Sequence, residues 1–300
     1  MAKRKKKKSS AFELIVLILI IGYTIYLNMS KPTEASVIKE TTNNTVTENL
    51  EVHFIDVGQA DSILIRSKDE NMLIDAGNNE DGKLLVEYLK SIGVSSFKYL
   101  VGTHAHEDHI GGMDDIIDSF EVGKYYMPDV LTTTKTFENV LDSLAKKGYK
   151  YYTPKIGETF ELGEAKFEVI YVGTDSKDLN STSVVLRMDH GNNSFLFTGD
   201  ATSEVEKSIL DKNIDVDVLK VAHHGSPYSS TSAFLNKVTP KYAVIQVGLN
   251  NTYNHPSETI IKRLEKLNAK IYRTDQDGTI IMESNGNDID IKTLETKTNG

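Results

Sequence analysis

Thr103-His104-Ala105-His106-Glu107-Asp108-His109 decides how this chain is read, and it follows directly on the apolar run Tyr99-Leu100-Val101-Gly102. The pattern is H-x-H-x-D-H. Three of the eight histidines in the chain stand here within six residues, together with a carboxylate. The economical reason to gather such side chains is to hold metal. In an extended segment, residues i and i+2 point to the same side, so His104 and His106 can grip one ion. Asp108 and His109 come after a bend, face the other way, and can start a second site. The competing reading is a solvated polar loop with histidines clustered by chance, and the density of ligand-type residues argues against it.

Working outward from this loop, several short β-like runs end at a chemically active residue. The run 50–56 leads into Val57-Gly58-Gln59-Ala60-Asp61, and 71–74 ends at Asp75-Ala76-Gly77. The run 97–102 ends at the histidine loop, and 194–198 at Gly199-Asp200. The run 217–222 ends at His223-His224-Gly225-Ser226, and 242–247 leads through a loop to His255-Pro256. Helical patterns cover 82–92, 135–147, 202–210, 231–238 and 257–267, the last opening at Ser257-Glu258 after Pro256. Strands alternating with helices predict an α/β layered fold. Ligands in such folds gather outside the carboxyl ends of the strands. Gly111-Gly112 is expected to turn the backbone sharply after the histidine loop, and Asp275/Asp277 before Gly278 to form a hairpin turn.

The first 30 residues are a different material. A basic cluster, Lys3-Arg4-Lys5-Lys6-Lys7-Lys8, precedes 17 uncharged residues from Leu14 to Ser30, the lower limit of about 17–25 for a membrane helix. Lysines flanking a span mark its cytoplasmic end. The expected organisation is a cytoplasmic basic tail (1–10), a transmembrane signal anchor (11–30), a flexible Thr/Asn/Glu-rich stalk (31–48), a catalytic domain outside the cell membrane (49–292) and a short tail (293–300). The alternative, a cleaved signal peptide, lacks a clear small-residue cleavage site after the apolar run. With no cysteine in the chain, disulfides and thiolate ligands are excluded. The net charge of −9 conceals a balance of −14 beyond residue 30. Such a surface does not gather polyanions by long-range attraction.

Taken in order, eight segments resemble the metallo-β-lactamase superfamily, and within it the extracellular hydrolase domain of the ComEC-type DNA-uptake proteins and their stand-alone relatives. They are His53-Phe-Ile-Asp-Val-Gly-Gln-Ala-Asp61, Leu73-Ile-Asp-Ala-Gly77, Thr103 to Gly112, Asn180-Ser-Thr-Ser-Val-Val185, Phe197-Thr-Gly-Asp200, Lys220-Val-Ala-His-His-Gly-Ser226, Asn254-His-Pro256 and Tyr272-Arg-Thr-Asp-Gln-Asp-Gly278. The resemblance covers about residues 51–284. It implies an αββα four-layer sandwich with two divalent metals at one edge of the sheets. His104 and His106 would bind the first metal, Asp108 and His109 the second, and Asp200 would bridge them. One histidine of the 223/224 pair would complete the second site. Zinc hydrolases of the superfamily usually place a further histidine on the first metal. Here that segment reads Asn180-Ser-Thr-Ser183, and the one histidine in the interval, His190, falls in the expected hairpin 188–194. Asn180 or water would then serve, which makes the site richer in oxygen and favours manganese while leaving zinc open.

The remaining candidates are weighed around that centre. Adjacent residues cannot both face one ion, so His224 is taken as the ligand and His223 as facing substrate. His255 is the candidate substrate-binding group or general acid. Asp75 is a candidate to orient a ligand histidine, or a turn aspartate before Gly77. Asp56, Gln59 and Asp61 form a polar loop that either reaches the metals or builds the Gly58 turn, with contact on the substrate side the favoured role. Two divalent ions about 3.5–4 Å apart activate a bridging water and clamp the attacking and leaving oxygens, which suits a phosphodiester. The expected function is that of a membrane-anchored two-metal hydrolase of phosphoesters, a ComEC-like nuclease or phosphodiesterase, with single-stranded DNA as one candidate substrate. The alternatives are a phosphorylcholine-esterase-like enzyme acting on a choline-decorated surface polymer, whose cationic headgroup suits an acidic rim with Tyr228 and Tyr253, and a non-catalytic metal-stabilised binding domain. Fold alone does not carry β-lactamase activity.

Overall fold

The computed structural model describes residues 48–174 and 177–294. The expected anchor, the basic tail and all of the stalk but Glu48 lie outside them. Among the described residues, no helix is long and apolar enough to cross a membrane. The first half of the domain runs β1 (Leu50–Phe54), β2 (Ile63–Ser67), β3 (Glu70–Ile74), α1 (Gly82–Ser91), β4 (Ser96–Val101), α2 (Glu107–Ile110), α3 (Met113–Ser119), β5 (Glu121–Tyr126), α4 (Lys135–Lys147) and β6 (Tyr151–Tyr152). The second half runs β7 (Thr159–Leu162), β8 (Ala165–Tyr171), β9 (Val185–His190), β10 (Asn193–Phe197), α5 (Ser203–Ser208), β11 (Val218–Lys220), α6 (Ser232–Val238), β12 (Tyr242–Ile245), α7 (Glu258–Lys266), β13 (Lys270–Arg273), α8 (Thr274–Asp277), β14 (Thr279–Ser284) and β15 (Ile289–Leu294).

Two sheets result, one of eight strands in the order 15-14-1-2-3-4-5-6 and one of seven in the order 13-12-11-10-9-8-7. Alternation along each strand sorts its side chains between two apolar layers. Leu50, Val52 and Phe54 of β1 and Phe195 and Phe197 of β10 meet between the sheets. Leu64 and Leu73 face outward to Leu85, Leu89, Ile116 and Phe137 on the helices of the first half. Leu196, Leu219 and Ala243 face outward to Val205, Phe234, Ile260 and Leu264 on those of the second. Helices thus cover both outer faces of a double sheet. The caps are local: Thr134, Thr202, Thr231 and Ser257 each accept a backbone N–H at the start of α4, α5, α6 and α7.

Strands β3, β4 and β5 run parallel in one sheet, and β10, β11 and β12 in the other. Their carboxyl ends supply the loops that carry the candidate residues. Two local expectations are corrected. Asp275 and Asp277 lie in the helical turn α8, not in a hairpin turn. Asp277 accepts the backbone N–H of Arg273, and Asp275 pairs with the Arg273 guanidinium, which closes the turn back onto β13. Gly111 and Gly112 have ordinary negative φ values, so no sharp turn demands them. A Cβ on Gly111 would come within 2.2 Å of the Asn78 carbonyl carbon, and one on Gly112 within 2.6 Å of the Ala76 oxygen. The glycines let the loop after β3 lie directly against the histidine loop.

Candidate metal centre

At the end of β4 the chain passes through His104 and His106 in non-helical backbone and then enters α2, which carries Asp108 and His109. The bend that separates the two pairs is this helix start. His104 Nε2 and His106 Nδ1 face each other at 3.0 Å. On the other side of His104, Nδ1 lies 3.2 Å from the Thr103 hydroxyl and 3.4 Å from that of Ser183. Asn180 lines the same cavity, and its Oδ1 is buried without a hydrogen-bond partner. His190 is elsewhere, fully buried on β9 with Nδ1 2.8 Å from the Ser284 hydroxyl.

A few ångströms away, Asp108, His109, Asp200 and His224 each aim one donor atom at a common point, all within 4.8 Å of one another. His109 Nε2 is 3.3 Å from Asp200 Oδ1, and His224 Nε2 is 3.3 Å from Asp108 Oδ2. His109 Nε2 and Asp200 Oδ1 are buried and have no properly directed hydrogen bond. Burying unsatisfied polar atoms is unfavourable by roughly 1–3 kcal/mol each, and an ion bound at their point of convergence would satisfy them. The donor set, imidazole nitrogen with carboxylate oxygen, fits a divalent transition metal.

The far side of each ring is held. His109 Nδ1–H donates to Asp75 Oδ2 at 2.8 Å, and Asp75 also accepts the backbone N–H and hydroxyl of Thr103, each at 2.8 Å. His224 Nδ1–H donates to the Gln246 carbonyl at 2.9 Å. This arrangement fixes the tautomer that leaves Nε2 free to coordinate. The carboxylates dominate the electrostatics. Burial pulls the pKa of His109 down, but Asp200, Asp75 and Asp108 raise it well above the usual histidine range. His224, opposed by the same burial, is pushed up to about 10 by Asp200, Asp61 and Asp108. His104, buried and next to His109, goes well below the usual value.

The histidine pair diverges because of its backbone. His223 and His224 both take left-handed φ values, 52° and 53°, and Gly225 follows at 79°. Such conformations are disfavoured for residues with a side chain and occur mainly where function requires them. They send His224 inward to the centre and leave His223 on the rim, its Nε2 3.7 Å from Asp200 Oδ2. The His255 ring lies 5.9 Å from that of His223, and the Tyr253 ring stacks on His255.

The fold and these strand-end ligands are the arrangement of one superfamily, and the sequence matches its description, Metallo-beta-lactamase superfamily, over residues 55–248. The chain belongs to that superfamily. It is 31% identical over 251 residues to ComE operon protein 3 of Bacillus subtilis, covering 77% of this chain and 32% of that protein. It is 32% identical over 232 residues to competence protein ComA of Neisseria gonorrhoeae, covering 75% and 31%. The chain therefore spans about a third of the length of these curated relatives. In fold it is similar to the metallo-beta-lactamase fold protein YhfI of Bacillus subtilis, with a TM-score of 0.55 at 12% identity over 79% of this chain and 100% of that one. Superfamily membership and the converging donors support a metal-dependent hydrolase.

The centre opens into a cavity of about 1200 Å³. Asp56 and Gln59 line it, as do His106, Asp108, Asn180, Asp200, His223, His224 and His255. Asp61 does not. A substrate contact for Asp61 is corrected by its burial: its side chain points under the centre toward Lys220 and His224, 2.7 Å and 3.3 Å away. The wall carries seven carboxylates (Asp56, Glu80, Asp81, Glu107, Asp108, Asp200, Asp275) and no Lys or Arg. Several of them serve the loops: Asp81 accepts from Asn78 N–H, and Glu107 from Asn79 N–H. Tyr253 lines this cavity, and Tyr228 a smaller one that adjoins it through His223, Tyr253 and His255.

Sequence reading missed Lys220, Gln246, Thr103 and Ser183 as supports. Lys220 alone carried a signal, a charged residue at an inward position of the apolar run Val218 to Ala222. Thr103 and Ser183 support through hydroxyls, and Gln246 through its carbonyl and a side-chain amide bound to the Ile55 and Ser62 carbonyls.

Proposed function

We propose that the chain is a two-metal hydrolase of phosphoesters, a phosphodiesterase or nuclease of the competence-protein type. The observation that carries the reading is the pairing of two half-sites, His104/His106 with Asn180, and Asp108/His109/Asp200/His224, at the floor of one open cavity. Two divalent ions, zinc or manganese, held there would supply water activation and stabilise charge on phosphate oxygens. In this reading Asp200 lies between the half-sites, and Asp108 and His224 hold the second. His223 and His255 stand on the rim, where they bind non-bridging oxygens, and His255 hands a proton to the departing oxygen. Asp56 and Gln59 contact substrate at the opposite wall. An amide in place of a third imidazole at position 180 favours hard oxygen-rich substrates over lactams.

A second reading is favoured by the cavity wall. Asp56, Glu80, Asp81 and Glu107, with no Lys or Arg among the described lining residues, attract a cationic headgroup and offer a polyanion nothing but the metals. Tyr253 and Tyr228 add aromatic faces for a quaternary ammonium. A phosphorylcholine ester on a surface polymer meets both conditions. Residues 11–30 would hold the domain on the outer face of the cell membrane. The deciding experiment loads the purified protein with manganese or zinc and compares turnover of single-stranded DNA, a generic phosphodiester and a phosphorylcholine ester. Hydrolysis of the choline ester alone displaces the nuclease. No turnover of any of the three, with metal bound, rejects phosphoester chemistry.

A further inference from the structure

Along β11 the side chains alternate: Val218 points between the sheets and Leu219 toward the outer helices. Lys220 therefore points inward, and its side chain is fully buried. An unpaired ammonium there would cost several kcal/mol. Its Nζ lies 2.7 Å from Asp61 Oδ2 and donates to the Val221 carbonyl at 3.1 Å. Asp61 comes from the other sheet, in the loop after β1. The ion pair thus ties the two sheets together at the edge where the metal centre is built.

Asp61 reaches two of the segments that form the second half-site, and the Asp75 loop behind them. Its Oδ1 is 3.3 Å from His224 Nδ1, and its Oδ2 is 4.0 Å from His109 Nδ1. Its backbone N–H donates to the Asp108 carbonyl at 3.1 Å, and its carbonyl accepts from Gly77 N–H, next to the Asp75 loop, at 2.9 Å. Asp108 and His109 belong to one sheet and His224 to the other, so their relative placement depends on what joins the sheets here. Gln246 makes a parallel connection. Its carbonyl accepts from His224, and its side-chain amide donates to the carbonyls of Ile55 and Ser62 at the two ends of the Asp61 loop.

We infer that Lys220 is a positioning residue for the second half-site: it clamps Asp61 across the sheets, and Asp61 sets the His224 ring against Asp108. The inference rests on the metal-holding reading and adds a residue that touches neither ion nor substrate. A purely structural ion pair would affect folding stability and leave the affinity for each ion unchanged. Removing one partner of a buried pair leaves an uncompensated charge, whereas replacing both is often neutral for stability, so the double variant Asp61→Asn with Lys220→Met separates the two roles.

The test is calorimetric titration of the metal-free full-length protein with Mn²⁺, with the spin-coupled dimanganese EPR signal as a second readout. Lys220→Met is expected to bind one ion as the wild type does and the other about 10–100-fold more weakly, with loss of the coupled signal. Lys220→Arg keeps the pairing and restores much of the affinity at the second half-site. Asp61→Asn with Lys220→Met weakens binding there no more than Lys220→Met alone, since both act through one strut. If Lys220→Met misfolds, Lys220→Arg and Asp61→Asn carry the test. Unchanged affinity in both Lys220→Met and Asp61→Asn, with Asp108→Ala still losing an ion, overturns the inference and leaves the metal reading standing. A wild type that binds no Mn²⁺ or Zn²⁺ overturns both.

Discussion

On one side of the centre, His104 and His106 oppose each other at 3.0 Å, backed by the hydroxyls of Thr103 and Ser183, and the buried, unpartnered Oδ1 of Asn180 is the proposed further donor. On the other, four donors converge within 4.8 Å, and buried carboxylates, a backbone carbonyl and a buried lysine fix their outer faces. The first half-site comes almost entirely from one dipeptide spacing and is loosely supported. The second is assembled from the ends of β4, β10 and β11 and is rigidly braced. Preorganised ligands bind metal more tightly because little ordering remains to be done. The second half-site should therefore hold its ion tightly, while the first exchanges.

The largest effect is expected from Asp200→Ala, because Asp200 would bridge the halves of the proposed two-metal centre. Metal analysis should show both ions weakened and hydrolysis reduced by more than about 100-fold, beyond the range of a supporting residue. Loss of one ion alone would place Asp200 in a single half. Next, Asp75→Asn leaves His109 without its carboxylate partner. About 10–100-fold weaker binding is expected at the tight step and none at the weak step, measured by competition with a chelating dye.

The amide at position 180 offers a gain-of-function check. Asn180→His should raise affinity at the weak step by about tenfold and shift preference from manganese to zinc. An unchanged metal preference would mean that residue 180 does not face the first ion.

Legibility in the sequence follows the same division. Strand alternation and the residues at strand ends made legible the fold and most of the side chains that gather at the centre, since period-two burial and contiguous motifs are local properties. His104, His106, Asp108 and His109 could be seen together because they share one loop. The inward turn of Asp61, the burial of Lys220 and the clip formed by Gln246 depend on which strand faces which across the sandwich. No local pattern encodes that. Likewise, the divergence of His223 and His224 depends on a left-handed backbone, and the glycines at 111 and 112 on a neighbouring loop approaching within contact.

The smallest effect concerns histidines outside both halves. Burial lowers the pKa of His53, against the pull of Glu51 and Glu283 and together with Arg66, and burial likewise lowers that of His190. The unfolded chain then binds more protons than the folded one near and below pH 6.5, so these groups reduce stability as pH falls through that value. The metal-loaded protein should melt at a lower temperature at pH 5.5 than at 7.5, by about 2–4 °C per kcal/mol lost. His53→Gln with His190→Gln should flatten that dependence. A slope unchanged by the double substitution would assign it to other groups.

The central claim is that one braced and one open half-site share a single centre. Calorimetric titration of the metal-free protein with Zn²⁺ tests it most directly, in the wild type, in His224→Ala and in His106→Ala. Two steps of distinct affinity are expected, with the tight step lost in His224→Ala and the weak step lost in His106→Ala. A single step, or the same step lost in both variants, would contradict the account.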